Sequence, residues 1–182
     1  MPPERGEVPA TAPTALATRD RVIVAMLVAF TAFNLTLDLV LVVNAGQLAE
    51  RPDANWATAL WAMYADADRL WIVAPWSRAQ EAINVFWTSG LNIWLIWAIV
   101  TRRAYRHVLQ LALGSYLSYS VILYWLAGHL SGYEGMHSRT VYAFLLFYGT
   151  ALPWLAAHLY MTYDSAVAIT RRFANAGARP GG

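Results

Sequence analysis

Four long apolar segments dominate the pattern of hydrophobic and polar positions along the chain. They cover residues 22–43, 80–101, 107–130 and 141–163. Each is close to the length of roughly 20 residues that an α-helix needs to cross a bilayer, and the alternating pattern of membrane strands is absent. We therefore predict an all-α integral membrane bundle of four transmembrane helices.

The long connection between the first two spans contains a second kind of pattern. Residues 55–71 carry aromatic side chains at helical spacing, among them Trp56, Trp61, Tyr64 and Trp71. Tryptophan and tyrosine favour the boundary between membrane and water. We predict an interfacial helix here that covers one end of the bundle.

The two ends of the chain lack the apolar pattern. Residues 1–20 are rich in Pro, Ala and Thr, and residues 167–182 are basic. Segments with few apolar residues cannot bury enough surface to fold. We expect disordered tails at both ends and one four-helix domain over residues 21–166.

Composition supports a membrane protein and removes several other classes. The 182 residues are 58% hydrophobic and 13% charged, against about 45–50% and about 25% in soluble domains. The net charge of +2 does not fit a nucleic-acid-binding protein. The absence of cysteine excludes a disulfide framework and a thiol nucleophile.

Arginines indicate how the bundle is oriented. Nine of the 13 basic residues lie in the two tails and in the loop between the second and third spans, and four lie in the other two loops. Because positive charge stays on the cytoplasmic side, both termini should face the cytoplasm. All 13 are arginine and alanine is frequent, which is typical of a GC-rich genome, so we expect a bacterial cytoplasmic membrane.

Two polar residues interrupt the first span. Asp38 lies within it, and Asn34 lies one helical turn earlier on the same face. An ionisable residue at mid-membrane costs about 2.5–3.5 kcal/mol on insertion scales. Such a residue therefore indicates a functional site unless it only holds helices together.

The second span carries a polar stripe. Glu81, Asn84, Thr88 and Asn92 are spaced by three or four residues, which places them within an arc of about 80° on an α-helix. This stripe should face the interior of the bundle. Glu81 falls in the same leaflet as Asp38, so the two carboxyl groups are expected to converge.

The third and fourth spans add further polar candidates at helical spacing. These are Tyr119 and Tyr124 on the third span, and Thr150, Trp154 and His158 on the fourth. The alternative for several of the polar positions is interhelical hydrogen bonding alone. A hydrogen-bonded core histidine is likewise the plainer interpretation of His158.

Metal chemistry is weakly indicated. Asp66 and Asp68 form a D-x-D pair, and His129 and His137 lie near one loop. Neither pair has a close third ligand of the kind that a metal site requires. We expect neither a metal nor another cofactor.

The second span also carries a characteristic order of residues. It reads QEAINVFWTSGLNIWLIWA over residues 80–98, with Glu81 followed by Gly90, Leu91 and Trp94. This order resembles the helix of the emopamil-binding protein family that opens with Met-Glu-Thr and continues through Gly-Pro-Leu to a Trp. Glu81 stands at the family glutamate and Trp94 at the Trp.

Other stretches are similar to the same family. They are Tyr64-Ala65 before Asp68, Leu123-Tyr124-Trp125-Leu126 before His129, Gly132 and Tyr133, and Trp154 before Asp164-Ser165-Ala166. The resemblance runs from about residue 34 to residue 166, and the chain also resembles the four-helix EXPERA domain that this family shares with the sigma-two-type receptor.

The resemblance implies a carbocation site, because the characterised enzymes of the family are sterol Δ8–Δ7 isomerases. Asn34 takes the place of a family His, Asp38 that of a Glu and Ala151 that of an Asn, whereas Glu81 and Trp154 are kept. Since Asn34 cannot relay a proton, the resemblance implies acid–base chemistry on an alkene more strongly than it implies the sterol reaction itself.

These observations lead to a specific hypothesis. The protein should be a cofactor-independent isomerase or cyclase that protonates and deprotonates a sterol, steroid-like or terpenoid alkene. Asp38 and Glu81 would be the acid–base pair, in an order that the sequence leaves open, and Trp154 would stabilise the cation. The expected substrate-binding residues are Asn34, Asn84, Thr88, Tyr119, Tyr124, Thr150 and His158.

The alternative is a receptor-like protein without catalysis that binds sterols or lipophilic amines through the same carboxyl groups. In both cases the expected partners are a lipophilic small molecule and membrane lipid. No nucleic acid is expected, and the sequence leaves a homodimer open.

Overall fold

Helices account for most of the chain that the structure, a computed structural model, describes: residues 15–44, 48, 55–65, 67–136 and 139–177. Within these ranges there is no strand. Four helical stretches are long and apolar enough to cross a membrane, namely Thr18–Asn44, Pro75–Val100, Arg106–Leu130 and Val141–Gly177. The prediction of an all-α membrane bundle with four spans is confirmed.

Two of the spans are interrupted by π-helical turns. The elements are α1 (Thr18–Phe33), π1 (Asn34–Asp38), α2 (Leu39–Asn44), α3 (Trp56–Ala65), α4 (Arg69–Val73), α5 (Pro75–Ala82), π2 (Ile83–Thr88), α6 (Ser89–Val100), α7 (Arg106–Leu130) and α8 (Val141–Gly177). The first span consists of α1, π1 and α2, and the second consists of α5, π2 and α6. The last two spans are α7 and α8.

The outer surface of the bundle is apolar. Large side chains such as Phe86, Trp87, Val108 and Leu145 are exposed. In a soluble protein such a surface would aggregate, whereas in a bilayer it faces acyl chains that are equally apolar.

Two hydrophobic clusters fill the bundle interior. Ile23 and Leu95 belong to the cluster at the end where the first span begins and the last span ends, here called the termini cluster. Leu41 and Phe147 belong to the cluster at the opposite end, beneath α3 and α4. The candidate site lies between these two clusters.

α7 and α8 form the most extensive helix pair, and two glycines permit their close approach. A Cβ atom at Gly114 would lie 2.6 Å from Thr162 Oγ1 and 2.8 Å from the carbonyl oxygen of His158. At Gly128 it would lie 2.5 Å from Phe147 Cζ. Small residues at membrane helix interfaces serve this purpose.

Helix extends at both ends into regions that the sequence analysis assigned to tails. α1 begins at Thr18 and α8 continues to Gly177, so residues 18–20 and 167–177 are helical. At the start, Arg106 donates to both carboxylate oxygens of Asp20 at 3.0 and 3.2 Å. At the other end the sequence contains neither Gly nor Pro from residue 154 until Gly177, so nothing stops the helix earlier. The predicted disorder of residues 1–14 and 178–182 lies outside the described residues.

The stretch predicted as an interfacial helix is helical but is divided into two, and its place at the membrane surface stays a prediction. α3 is attached to the first span, because Trp61 Nε1 donates to the carbonyl oxygen of Leu37 at 2.8 Å. Asp68 then caps α4, since its Oδ1 accepts from the Trp71 N–H at 3.1 Å, which requires the chain to leave the helical path before it. The second span starts at Pro75, where proline at the first helical position is favoured.

Candidate functional site

A cavity of about 470 Å³ lies inside the bundle, between the two hydrophobic clusters. All four spans and α3 contribute to its walls. Nine of the ten site residues expected from the sequence line it: Asn34, Asp38, Glu81, Asn84, Thr88, Tyr124, Thr150, Trp154 and His158. The cavity therefore gathers candidates from every span, as the separate polar stripes led us to expect.

Tyr119 is the exception. Its side chain is 62% exposed and does not line the cavity. Tyr119 and Tyr124 are five residues apart, which is about 140° around an α-helix, so only one of them can face the interior. Tyr124 does so, and the expectation that Tyr119 binds substrate is corrected.

Two carboxyl groups meet at one end of the cavity. Asp38 belongs to π1 and Glu81 to α5, they are 4% and 6% exposed, and their side chains are in hydrogen-bond contact. Because like charges so close together disfavour ionisation of both groups, at least one of the two is a carboxylic acid. When the other is ionised, the pair holds one proton donor and one proton acceptor.

The surroundings of Glu81 differ from those of Asp38. Asn84 Nδ2 donates to Glu81 Oε2 at 3.0 Å, and the Trp71 indole lies close enough to Glu81 to interact with it. N–H donors stabilise the ionised form of a carboxyl group. This arrangement favours Glu81 as the carboxylate and Asp38 as the carboxylic acid.

Asn34 connects the two π-helical segments. Its Nδ2 donates to the carbonyl oxygen of Asn84 at 3.0 Å and to Ser89 Oγ at 3.3 Å. Ser89 Oγ in turn donates to the same carbonyl oxygen at 3.1 Å. The side-chain nitrogen of Asn34 is therefore occupied in holding the spans together, which makes Asn34 a positioning residue for its neighbours.

The π-helical turns lie where the site residues are. Asp38 ends π1, and Asn84 and Thr88 lie in π2. In a π-helix the hydrogen bonds run from i to i+5, and such single turns occur frequently at functional sites. The two turns pack against each other, so the wider turns of both spans face the same region of the bundle.

Aromatic rings form part of the wall of the same cavity. The rings of Trp154 and Phe30 are stacked with centroids 4.1 Å apart, and Phe33 contacts the same indole edge-on at 5.0 Å. An indole face is electron-rich and attracts cations. Packing on two phenylalanines fixes the orientation of that face.

Two tyrosines link the wall to the covering helices. The hydroxyl oxygens of Tyr64 and Tyr124 lie 2.6 Å apart. Thr150 lies near Tyr64, and Asp68 lies near Tyr124. Burial raises the pKa of Tyr64 to about 12, so this hydroxyl stays protonated. Burial also raises the pKa of Asp68, although the Trp71 N–H and the Tyr124 hydroxyl oppose that effect.

Asp68 therefore has a structural role that the D-x-D pattern did not indicate. It caps α4 and lies near Tyr124, while Asp66 lies outside the described residues. Among the residues that the structure describes, no three His, Asp or Glu side chains are grouped so as to hold a metal ion.

Sequence reasoning missed three residues of the site: Trp71, Ser89 and Phe30. Trp71 lies outside the spans, and neither hydrophobic periodicity nor spacing indicates that it reaches Glu81. Ser89 lies in the polar second span, and its distance of five residues from Asn84 would have been informative only if a π-helical turn had been expected. Phe30 gave no signal, because it is one apolar residue among many in the first span.

The fold and the cavity define a class of protein: an integral membrane helical bundle that encloses a lipophilic cavity with a pair of buried carboxyl groups. A family model agrees with this class, since the EBP model, described as EXPERA (EXPanded EBP superfamily), matches residues 56–165. The chain belongs to this superfamily. A comparison with curated proteins finds none that matches the chain.

The matched region does not contain the whole site. It begins at α3 and includes Glu81, Asn84 and Trp154, whereas Asn34 and Asp38 precede it. One carboxyl group of the pair thus comes from the matched region and the other from the span before it.

Proposed function

We propose that this protein is a cofactor-independent membrane isomerase or cyclase that protonates and deprotonates an alkene of the sterol, steroid-like or terpenoid class. The observation that carries the proposal is the contact between Asp38 and Glu81 inside a cavity that Trp154 also lines. Acid, base and a cation-stabilising face are the three elements that this chemistry requires.

The proposed reaction uses one proton of the pair. The Asp38 carboxylic acid transfers its proton to one alkene carbon, where the π electrons form the new C–H bond and leave a cation on the neighbouring carbon. The Glu81 carboxylate then removes a proton from an adjacent carbon, and the electrons of that C–H bond form the new double bond. For a cyclase, a second double bond attacks the cation before the proton is lost.

Contact between the two carboxyl groups also supports a simple return to the starting state. After one turnover Asp38 is ionised and Glu81 is protonated. The proton can move back across the hydrogen bond that joins them. The cycle then needs neither a cofactor nor a path for protons from the solvent.

The test is conversion of alkenes by the purified protein in lipid nanodiscs. A panel of unsaturated sterols and linear terpenoids is incubated with wild type, and products are separated by mass spectrometry. Asp38→Asn and Glu81→Gln should each lower the rate by about 10²–10⁴-fold, as expected for loss of a general acid or base. Asp20→Asn, which removes a buried carboxylate far from the cavity, is the matched control and should retain turnover in the folded protein.

A receptor-like protein that binds sterols or lipophilic amines is the second candidate. The same carboxylate and indole face support it, because they form a site for an organic cation without any chemistry. Amine binding with no product from any alkene of the panel would favour this candidate. Turnover at the wild-type rate by both folded carboxamide variants would overturn the acid–base assignment.

A further inference from the structure

The inner end of the cavity contains polar atoms without partners. Thr88 Oγ1, Asn92 Oδ1 and the ring nitrogens of His158 are buried and make no hydrogen bond to any described residue. All three side chains line the cavity and are at most 2% exposed. One ring nitrogen of His158 approaches the main-chain carbonyl of Trp154 but lacks the geometry of a hydrogen bond, so at least one nitrogen is left for a ligand.

Two of these residues lie at the same depth. Leu95 follows Asn92 by three residues and Met161 follows His158 by three, and both Leu95 and Met161 belong to the termini cluster. Asn92 and His158 therefore form the floor of the cavity, directly above that cluster. Thr88 lies one turn higher on the second span.

The contrast with the other end of the cavity is informative. There Asn84 and Asn34 have their side-chain amides paired with protein groups. Buried polar groups in folded proteins are almost always hydrogen-bonded, and a group without a partner is destabilising. Among the residues that line the cavity, the unpaired buried atoms are confined to this end, which indicates that the bound molecule supplies their partner.

The distance between the two ends sets the size of that molecule. Glu81 and Thr88 are seven residues apart, which is roughly 10 Å along the helix axis, and Asn92 lies roughly 16 Å from Glu81. Phe30 and Trp154 line the space between. The cavity is thus polar at both ends and aromatic in the middle.

The atoms at the floor specify one functional group. The Asn92 Oδ1 atom only accepts a hydrogen bond, whereas a threonine hydroxyl and a neutral imidazole can each donate one. An alcohol both donates and accepts, so it satisfies all of them. A ketone has no proton to donate and would leave the Asn92 Oδ1 atom unpaired, and a hydrocarbon would leave all three residues unpaired.

We propose that Thr88, Asn92 and His158 form a binding site for a hydroxyl group, so that the substrate is an amphipathic alcohol whose reacting double bond lies at the opposite end. This inference rests on the proposed function for the position of the double bond. It goes further in naming the polar group that orients the molecule. A lipophilic alkene could enter in either direction, and the hydroxyl would fix the one that brings the double bond to Asp38 and Glu81.

The experiment uses two tertiary amines built on the same saturated tetracyclic skeleton. One carries a hydroxyl at the end remote from the nitrogen and the other does not. The nitrogen serves as a cation for the carboxyl end, and dissociation constants follow from the rise in thermal midpoint with amine concentration. In wild type the hydroxylated amine should bind about tenfold more tightly, which is the size of a well-made buried hydrogen bond.

Variants at the floor should remove this preference. In Asn92→Leu and Thr88→Val the ratio of the two dissociation constants should fall to about one, with the amine that lacks the hydroxyl binding as well as before or better. Thr36→Val is the matched control, because Thr36 is an exposed threonine in π1 that bonds only to main-chain carbonyls. It should keep the tenfold preference.

The outcomes separate the two proposals. If neither amine binds, the cation site of the proposed function is wrong. If both bind wild type equally well, the hydroxyl site is wrong while the cation site stands. This comparison needs only wild-type protein, so the inference is tested even where a floor variant does not fold.

Discussion

The proposed transfer of one proton between Asp38 and Glu81 has a consequence that isotopes can measure. If the proton removed by Glu81 returns directly to Asp38, only part of the protons given to substrate come from solvent. Turnover in D₂O should therefore give product with less than one deuterium per molecule at the protonated carbon. If every product molecule carried a deuterium after one turnover, this would contradict direct return of the proton from Glu81 to Asp38.

Substitutions at Trp154 test whether its indole stabilises the proposed cation. Trp154→Phe keeps an aromatic face of weaker attraction, and Trp154→Leu keeps none. We expect turnover to fall about fivefold in the first and about 30-fold in the second, in line with about 1–2 kcal/mol for a desolvated cation–π contact. The labelled carbon should be the same in all three proteins. Equal rates in Trp154→Phe and Trp154→Leu would remove the indole from the mechanism.

At the scale of elements, the two π-helical turns depend on Asn34. Its amide bond to Ser89 is buried and its bond to the Asn84 carbonyl is part-buried. Asn34→Leu should lower the free energy of unfolding by about 1–3 kcal/mol, since both bonds are lost and the Asn84 carbonyl keeps only Ser89 as a donor. Reversible unfolding in mixed micelles measures this loss. Thr36→Val, in the same turn but exposed, should change stability little, and an equal loss in both variants would contradict a specific role for Asn34.

The elements also show what the sequence could predict. Four spans follow from hydrophobic length alone, because the bilayer sets a length that no other environment demands. The π-helical turns and the break between α3 and α4 do not follow, since they depend on tertiary partners: Asn34 bonding across to Asn84, and Asp68 lying near Tyr124. An expectation based on a regular α-helix, which turns about 100° per residue, does not include the π-helical turns or the break.

Prediction of the site had a similar limit. The stripe on the second span was found because one polar face stands out on an apolar helix, and all of its members line the cavity. α7 offered Tyr119 and Tyr124 on different faces, and nothing in its own sequence chooses between them. Packing of α7 against α8 at Gly114 and Gly128 makes that choice.

At the scale of the whole molecule, the orientation in the membrane stays a prediction. Nine arginines lie in the two tails and in the loop between the second and third spans, and four lie in the other two loops, which favours both termini in the cytoplasm. Reporter fusions at Gly182 and near Ala54 should then report opposite sides of the membrane. The same side for both would contradict this topology.

The division of the carboxyl pair between two spans has an evolutionary consequence. Glu81 lies within the region that the family model matches and Asp38 lies before it, so a comparison limited to that region covers only one of the two carboxyl groups. A lineage could alter the group opposite Glu81, and with it the reaction, while the inherited scaffold stays intact. Comparison of the matched region groups superfamily members by ancestry. Grouping them by the reaction they catalyse requires, in addition, the residues of the first span that face Glu81.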